Sequence, residues 1–258
     1  MQGGFFVSAW PNFVAGEPSS PASCLNMLLT PGPRVLMNQR STSRHGAPGN
    51  TRAVGDLAVR ALVSAELPAA VVLLAQAMLD NPLHVAAFGE DEGRRLRRLR
   101  GFLVPMLAYV ESHGTVLGAF SGSTLIGAMG MIAPGQCRPA WRQRWRIGLG
   151  IVRRNSPLGV LRIHRWLSSW LRLDPAEPHW HLGPLAVMPN WRRKGVGRAL
   201  MNRCCQRLDR EGASAWLETD LAINVEFYRS LGFTVAHKQQ VLGVTNWFMR
   251  RDPQRSGG

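Results

Sequence analysis

The chain reads as a mixed α/β (α+β) protein, and three observations carry that assignment. Strand and helix patterns alternate from Trp180 to the C-terminus, an apolar hairpin pattern fills residues 115–132, and helical spacing recurs on both sides of that hairpin. Leu57-Ala58-Val59-Arg60-Ala61-Leu62-Val63 is the first segment that fits a strand. Pro68 then falls in the first turn of a helix running to about Leu79, and Asn81-Pro82 ends it. A second helix is predicted over Glu92 to Val110, with Asp91 and Glu92 near its positive end and Gly114 as its stop. Thr115–Phe120 and Thr124–Ile132 pair as a hairpin about Ser121-Gly122-Ser123.

After Pro178 the pattern sharpens. Trp180–Val187 is a strand, Pro189–Gly197 a loop and Arg198–Arg210 a helix. Ala215–Glu218 is a strand, Ile223–Leu231 a helix, and Phe233–His237 and Asn246–Arg250 are closing strands. Between hairpin and strand, residues 134–178 hold nine arginines against Asp174 and Glu177. There Val160, Ile163, Trp166, Leu167, Trp170 and Leu171 recur at helical spacing, opposite Arg162, Arg165, Ser169 and Arg172, which makes an amphipathic basic helix. Residues 1–52 differ in kind: prolines alternate with Gly and Ser and no period is sustained. They are expected to be a disordered extension, or upstream sequence read from a misplaced start, ahead of one domain over 53–258.

Composition narrows the function classes. A chain of 258 residues with 45% hydrophobic content buries a sizeable core. The net charge of +15 is carried by arginine, with Lys194 and Lys238 the only lysines. Such a field attracts phosphates of any kind, so a basic nucleic-acid or membrane-surface binder is the alternative of another class. No nucleic-acid motif accompanies the charge, and no nucleic-acid partner is expected. No apolar run reaches the roughly 20 residues of a membrane span, and no secretory leader is visible, so the expected location is cytoplasmic. Cys204 and Cys205 adjoin while Cys24 and Cys137 stand alone; no Cys-x-x-Cys spacing occurs, and no metal is expected.

The chemistry concentrates in Arg192-Arg193-Lys194-Gly195-Val196-Gly197. This loop follows an apolar strand and opens a helix, so its backbone N–H groups point outward with the helix dipole behind them. Gly195 and Gly197 let a bulky anion approach the main chain, and Arg192, Arg193, Lys194 and Arg198 add charge around it. A dinucleotide fingerprint needs a further glycine where Leu200 stands, and a P-loop needs a different spacing ending in Lys-Ser/Thr. Together the glycines, the backbone donors and the charges make a pyrophosphate cradle, with a glycine turn on a solvated basic loop as the alternative.

The stretch Leu185–Leu200 resembles motif A of the GNAT superfamily of N-acetyltransferases, whose Q/R-x-x-G-x-G/A pattern is matched by Arg192, Gly195 and Gly197. The resemblance implies acetyl-CoA as co-substrate and a central mixed sheet flanked by helices and splayed between its fourth and fifth strands. It also implies that Leu185 and Val187 bond the pantetheine arm through their backbone, and that Val196 belongs to the same cradle. Pro184 suits that geometry, since proline belongs at edges and bulges. Asn224, Tyr228 and Gly232-Phe233 are similar to the family segment in which the asparagine contacts the cofactor arm and the tyrosine hydroxyl lies near its sulfur. Tyr228 is therefore the candidate acid.

Acetyl transfer to an amine also calls for a proton acceptor. His181, five residues before the position at Ala186 where some histone-acetylating members carry a glutamate, is one candidate; His179 is equally near, and Glu218 at the end of the next strand is the other. A water chain serves as well. The C-terminal third most resembles the puromycin-N-acetyltransferase-like branch, which implies a small amine acceptor, an antibiotic or metabolite. A protein or peptide acceptor is the alternative. The 134–178 insert is expected to form a lid or wall beside the acceptor cleft, with a surface helix or a homodimer contact as the other reading.

Overall fold

A seven-stranded sheet in the order β1-β2-β3-β4-β5-β7-β6 organises the computed structural model, which describes residues 57–254. In chain order the elements are β1 (Leu57–Ala61), α1 (Leu67–Ala77), α2 (Pro82–Phe88), α3 (Glu92–His113), β2 (Gly114–Ser121) and β3 (Thr124–Ile132). Then follow α4 (Trp141–Val152), α5 (Pro157–Leu173), β4 (Trp180–Val187), α6 (Val196–Glu211), β5 (Ala215–Thr219), α7 (Ala222–Arg229), β6 (Thr234–Val241) and β7 (Val244–Arg251). All neighbouring strands pair antiparallel except β4 with β5, which pair parallel. The mixed sheet expected from the sequence is the one observed. The extension over 1–52 lies outside the described residues.

Two apolar cores form. One gathers Leu74, Phe88, Leu99, Leu107 and Trp166 from α1, α2, α3 and α5. The other gathers Leu200, Met201, Cys204 and Leu208 of α6 with Met129, Met131 and Phe233. No single described helix is long and apolar enough to cross a membrane; only the pair Ser64–Ala77 and Pro82–Phe88, bent by 100°, passes on length and composition.

The structure departs from the sequence reading at four elements. Asn81-Pro82 ends α1 and also starts α2, because proline suits the first turn and Asp220 Oδ2 accepts the Leu83 N–H at 2.8 Å. That cap comes from a residue far along the chain. α4 was not anticipated; its Trp141, Trp145, Leu149 and Val152 stay exposed, so it lacks a fully buried stripe. In α5, Ile163 and Trp166 are buried but Leu171 is exposed. β6 runs well beyond His237, because an edge strand satisfies its backbone through β7 while its Lys238 and Gln240 face water.

Candidate active site

β4 pairs with β5 only at Trp180↔Ala215 and His181↔Trp216, whereas its ladder with β3 continues to Gly127↔Val187. From Leu182 onward the β5 side of β4 therefore has no strand beside it, and Leu185 and Val187 lie in that open stretch. The β3 ladder shifts between Met129 and Met131, opposite Gly183-Pro184. A Cβ on Gly130 would stand 2.4 Å from the Gly183 carbonyl oxygen, so only glycine permits this close approach.

Beyond β4, a single 3-10 turn (Pro189–Trp191) leads to the start of α6 at Val196. Gly195 caps α6 with φ 83 and no side-chain cap, and Arg193 also takes a positive φ of 60. The Arg192 N–H donates to the Pro189 carbonyl at 3.2 Å, and the helical ladder begins with Ala199 N–H on the Gly195 carbonyl at 2.9 Å. Between them, the N–H groups of residues 193–198 find no acceptor among the described residues. Arg193, Lys194, Gly195 and Arg198 are exposed. A row of unpaired donors at the positive end of a 16-residue helix is an arrangement that can hold an anion such as a diphosphate.

Arg192 sits differently from its neighbours. Its guanidinium donates to the Ala77 carbonyl at 2.6 Å and the Val187 carbonyl at 3.3 Å, which ties the loop to the end of α1 and of β4. These bonds fix the loop's position, and the residue stays exposed beside Arg193 and Lys194, so its positive charge remains at the loop. Lys194 lies 5.2 Å from the Trp191 ring centre, and Arg198 donates to Ser230 Oγ at 2.8 Å. Gly197 has room around it: a Cβ would meet Val187 and Phe227 only at 3.7 and 3.8 Å.

Where β4 and β5 part, His181 Nε2 lies 3.1 Å from Glu218 Oε2, and the Glu218 side chain is 2% exposed. Trp216 Nε1 donates to Glu218 Oε1 at 2.9 Å. The two residues that the sequence offers as alternative bases are therefore one pair. Burial opposes a charge on His181, but the Glu218 carboxylate, with Asp174 and Cys137, outweighs it and holds the ring protonated well above the ordinary imidazole range.

The family model for the acetyltransferase (GNAT) family matches residues 83–233, which span α2 through the loop after α7. The chain belongs to the GNAT acetyltransferase family. Among solved structures, one described as histone acetyltransferase HPA2 and related acetyltransferase from Corynebacterium glutamicum is 20% identical, with a TM-score of 0.59 over 79% of this chain and 99% of that one. The putative acetyltransferase yncA from Salmonella typhimurium, with its cofactor acetyl-CoA, is 17% identical with a TM-score of 0.45, covering 79% and 98%. The PaiA N-acetyltransferase from Thermoplasma acidophilum, in complex with coenzyme A, is 15% identical with a TM-score of 0.47, covering 76% and 99%. The first of these shows the shared fold.

The reaction of this GNAT protein is acetyl-CoA-dependent acetyl transfer. Its Tyr228 ring is buried on α7 against Phe233, and the hydroxyl takes no partner among the described residues. Burial first, then the charges of Asp220 and Glu218, push that hydroxyl up from the ordinary tyrosine range. Asn224 Nδ2 donates to Thr219 Oγ1 at 3.2 Å, and the same oxygen accepts the Leu221 N–H at 3.3 Å. Thr219 thereby orients Asn224, a role the sequence did not suggest.

The sequence also gave no hint that Cys137, Asp174, His179 and His181 converge. Their ligand atoms all lie within 4.8 Å of one another. The available signal was His179-x-His181, since alternate residues of an extended segment share a face. Cys137 and Asp174 enter from opposite ends of the insert, which no local spacing reveals.

Proposed function

We propose that this GNAT protein transfers the acetyl group of acetyl-CoA to a primary amine of a small molecule, a metabolite or an antibiotic, by direct attack in a ternary complex. One observation carries the reading. The unpaired N–H row at residues 193–198 continues into the open edge of β4, and that edge ends at the His181–Glu218 fork. Acetyl-CoA supplies a thioester carbonyl as the electrophile. Residues 193–198 hold the diphosphate, Leu185 and Val187 offer backbone groups to the arm, and Asn224 braces it from α7. Bringing two reactants into one cleft itself provides much of the acceleration.

Glu218 accepts the proton of the amine, directly or through water, and the His181 Nε2–H orients that carboxylate. Tyr228 donates a hydrogen bond to the departing sulfur. A hydroxyl raised above about 10 does not readily surrender its proton to a thiolate near 8.5, so donation without full transfer is its role. Exposed Arg142, Arg144, Arg146, Arg165 and Arg172 on the insert repel a cationic polyamine, which favours a neutral or acidic amine. Such an enzyme needs neither nucleic acid nor membrane and works in the cytoplasm.

The test is a panel of amines and antibiotics with acetyl-CoA, followed by free-thiol release, beside mass spectrometry of incubated peptides. Acetylated small amines with unmodified peptides support the proposal. Acetylated peptides alone would replace it with a protein acceptor.

A further inference from the structure

Both ends of the helical insert meet the entry of β4 at one point. Cys137 lies in the loop after β3, in a segment where the Tyr109 hydroxyl donates to the Gln136 carbonyl at 2.5 Å. Asp174 caps the C-terminus of α5, and His179 and His181 lead into β4. Cys137 Sγ stands 3.5 Å from His179 Nε2, which stands 3.2 Å from Asp174 Oδ1. His181 Nδ1 lies 3.4 Å from the same Asp174 oxygen. It is sealed from solvent and takes no hydrogen bond.

We propose that Cys137, Asp174, His179 and His181 bind one zinc ion, which clips the two ends of the insert to β4. Three features support this. The donor set of one thiolate sulfur, two imidazole nitrogens and one carboxylate oxygen is the chemistry of a closed four-coordinate zinc site. Zinc bonds of about 2.0–2.1 Å to nitrogen or oxygen and about 2.3 Å to sulfur place tetrahedral ligand atoms roughly 3.3–3.6 Å apart. The three separations just given, 3.5, 3.2 and 3.4 Å, fall close to that range.

The third feature is the outer face of each histidine. A zinc-bound imidazole holds its other nitrogen on an acceptor, which fixes the tautomer. His179 Nδ1 lies 2.8 Å from the Glu177 carbonyl while Nε2 points into the cluster. His181 Nε2 lies 3.1 Å from Glu218 while the unsatisfied Nδ1 points into the cluster. Asp174 keeps Oδ2 turned toward Arg138, 3.9 Å away. Hydrogen bonding alone leaves the His181 Nδ1 orphaned in a buried position; a metal ion gives it a partner. On binding, the Cys137 thiol and the imidazole nitrogens facing the cluster release their protons to solvent. All four protein positions are then filled, so the ion holds structure in place and its site leaves no open position for substrate.

The proposal shares His181 with the acetyl-transfer reading, its Nε2 still facing Glu218, but it has its own readouts. Untagged full-length protein, purified without chelator and then incubated with zinc and desalted, is expected to carry one zinc per chain by elemental analysis. Cobalt titration into stripped protein is expected to give intense tetrahedral visible bands and a near-ultraviolet thiolate charge-transfer band. Cys137→Ser removes the charge-transfer band, Asp174→Asn and His179→Gln weaken metal binding at least tenfold, and Cys205→Ser changes nothing. Chelation lowers the Tm of the parent protein and leaves that of Cys137→Ser unmoved. No zinc retained and no tetrahedral cobalt spectrum in the folded parent protein overturns the proposal. So does a cobalt spectrum that survives Cys137→Ser unchanged, since the metal then sits elsewhere. Because the parent protein alone decides the first outcome, a variant that fails to fold does not shelter the idea.

Discussion

The proposed phosphate loop and the Cys137–Asp174–His179–His181 cluster are built in opposite ways. The loop draws its donors from consecutive backbone positions, 193–198, at the head of one helix. In the proposed reading its affinity for an anion comes from backbone N–H groups, and the side chains keep that backbone in shape and accessible. The cluster draws four side chains from three places in the chain, and its geometry exists only once α4, α5 and β4 have packed. A substitution in the loop is therefore expected to change ligand binding with little effect on folding, whereas one in the cluster changes both.

The strongest test of the loop's half of that contrast is Gly197→Glu. The position has room for a side chain, so the fold should survive. A carboxylate set beside bound phosphates costs several kcal/mol, about a thousandfold in affinity. Calorimetry with acetyl-CoA and with free coenzyme A should go from a measurable isotherm to a flat one, while the Tm moves by only a degree or two. A large fall in Tm would mean that the loop is structural after all.

The fork where β4 leaves β5 lies between the two regions and belongs partly to each. Glu218→Gln removes the proton acceptor and keeps an amide oxygen for Trp216 Nε1, while its NH2 replaces the oxygen that faced His181 Nε2. Turnover is expected to drop by about 10²–10⁴-fold with coenzyme affinity retained. Equal loss in kcat and in coenzyme binding would put Glu218 in a structural role instead.

A control that touches neither the proposed reacting groups nor the cluster calibrates what an ion pair with one buried partner contributes. Arg251 is 3% exposed; both its terminal nitrogens donate to Asp209 at 2.8 Å, and its Nε donates to the Leu231 carbonyl at 2.9 Å. Asp209→Ala strands that cation and should cost about 3 kcal/mol by urea denaturation, with the activity of the surviving folded fraction unchanged. The guanidinium holds the Asp209 carboxyl below its ordinary range. A carboxyl with a lowered folded-state pKa contributes stability in full above its unfolded value near 4. That contribution is lost as the pH falls through the folded value, so parent and Asp209→Ala stabilities should converge in acid and separate toward neutrality.

The same contrast explains what the sequence could disclose. Local features were legible: the hairpin of β2 and β3, the glycines and basic residues of the loop, and the Asn224–Tyr228 face of α7 all depend on residues a few positions apart. The splay of β4 from β5 was legible too, because Pro184 marks it and the family resemblance places it. What stayed hidden depends on partners distant in sequence. α2 is capped by Asp220, β6 is a polar strand that borrows its hydrogen bonds from β7, and Cys137 meets Asp174 only across the whole insert. His181 and Glu218 were each visible, but that they form one pair follows from a strand register that periodicity cannot supply.

The smallest expected effect separates backbone from charge within the loop itself. Arg193 holds φ 60, a conformation costing a non-glycine residue about 1 kcal/mol, and its side chain is exposed. Arg193→Gly relieves that strain but also gives the unfolded chain more freedom, worth about 0.4–1 kcal/mol in the other direction. The net change in stability should therefore stay within about 0.5 kcal/mol. Arg193→Gln keeps the strain and removes only the charge. If the donors of residues 193–198 carry the binding, both variants weaken coenzyme A by the same small factor, about threefold, that loss of one exposed charge implies. If Arg193→Gly instead weakens it far more than Arg193→Gln, the left-handed turn at this residue is what aligns the donors, and the loop depends on a fixed side-chain-bearing backbone more than its sequence suggests.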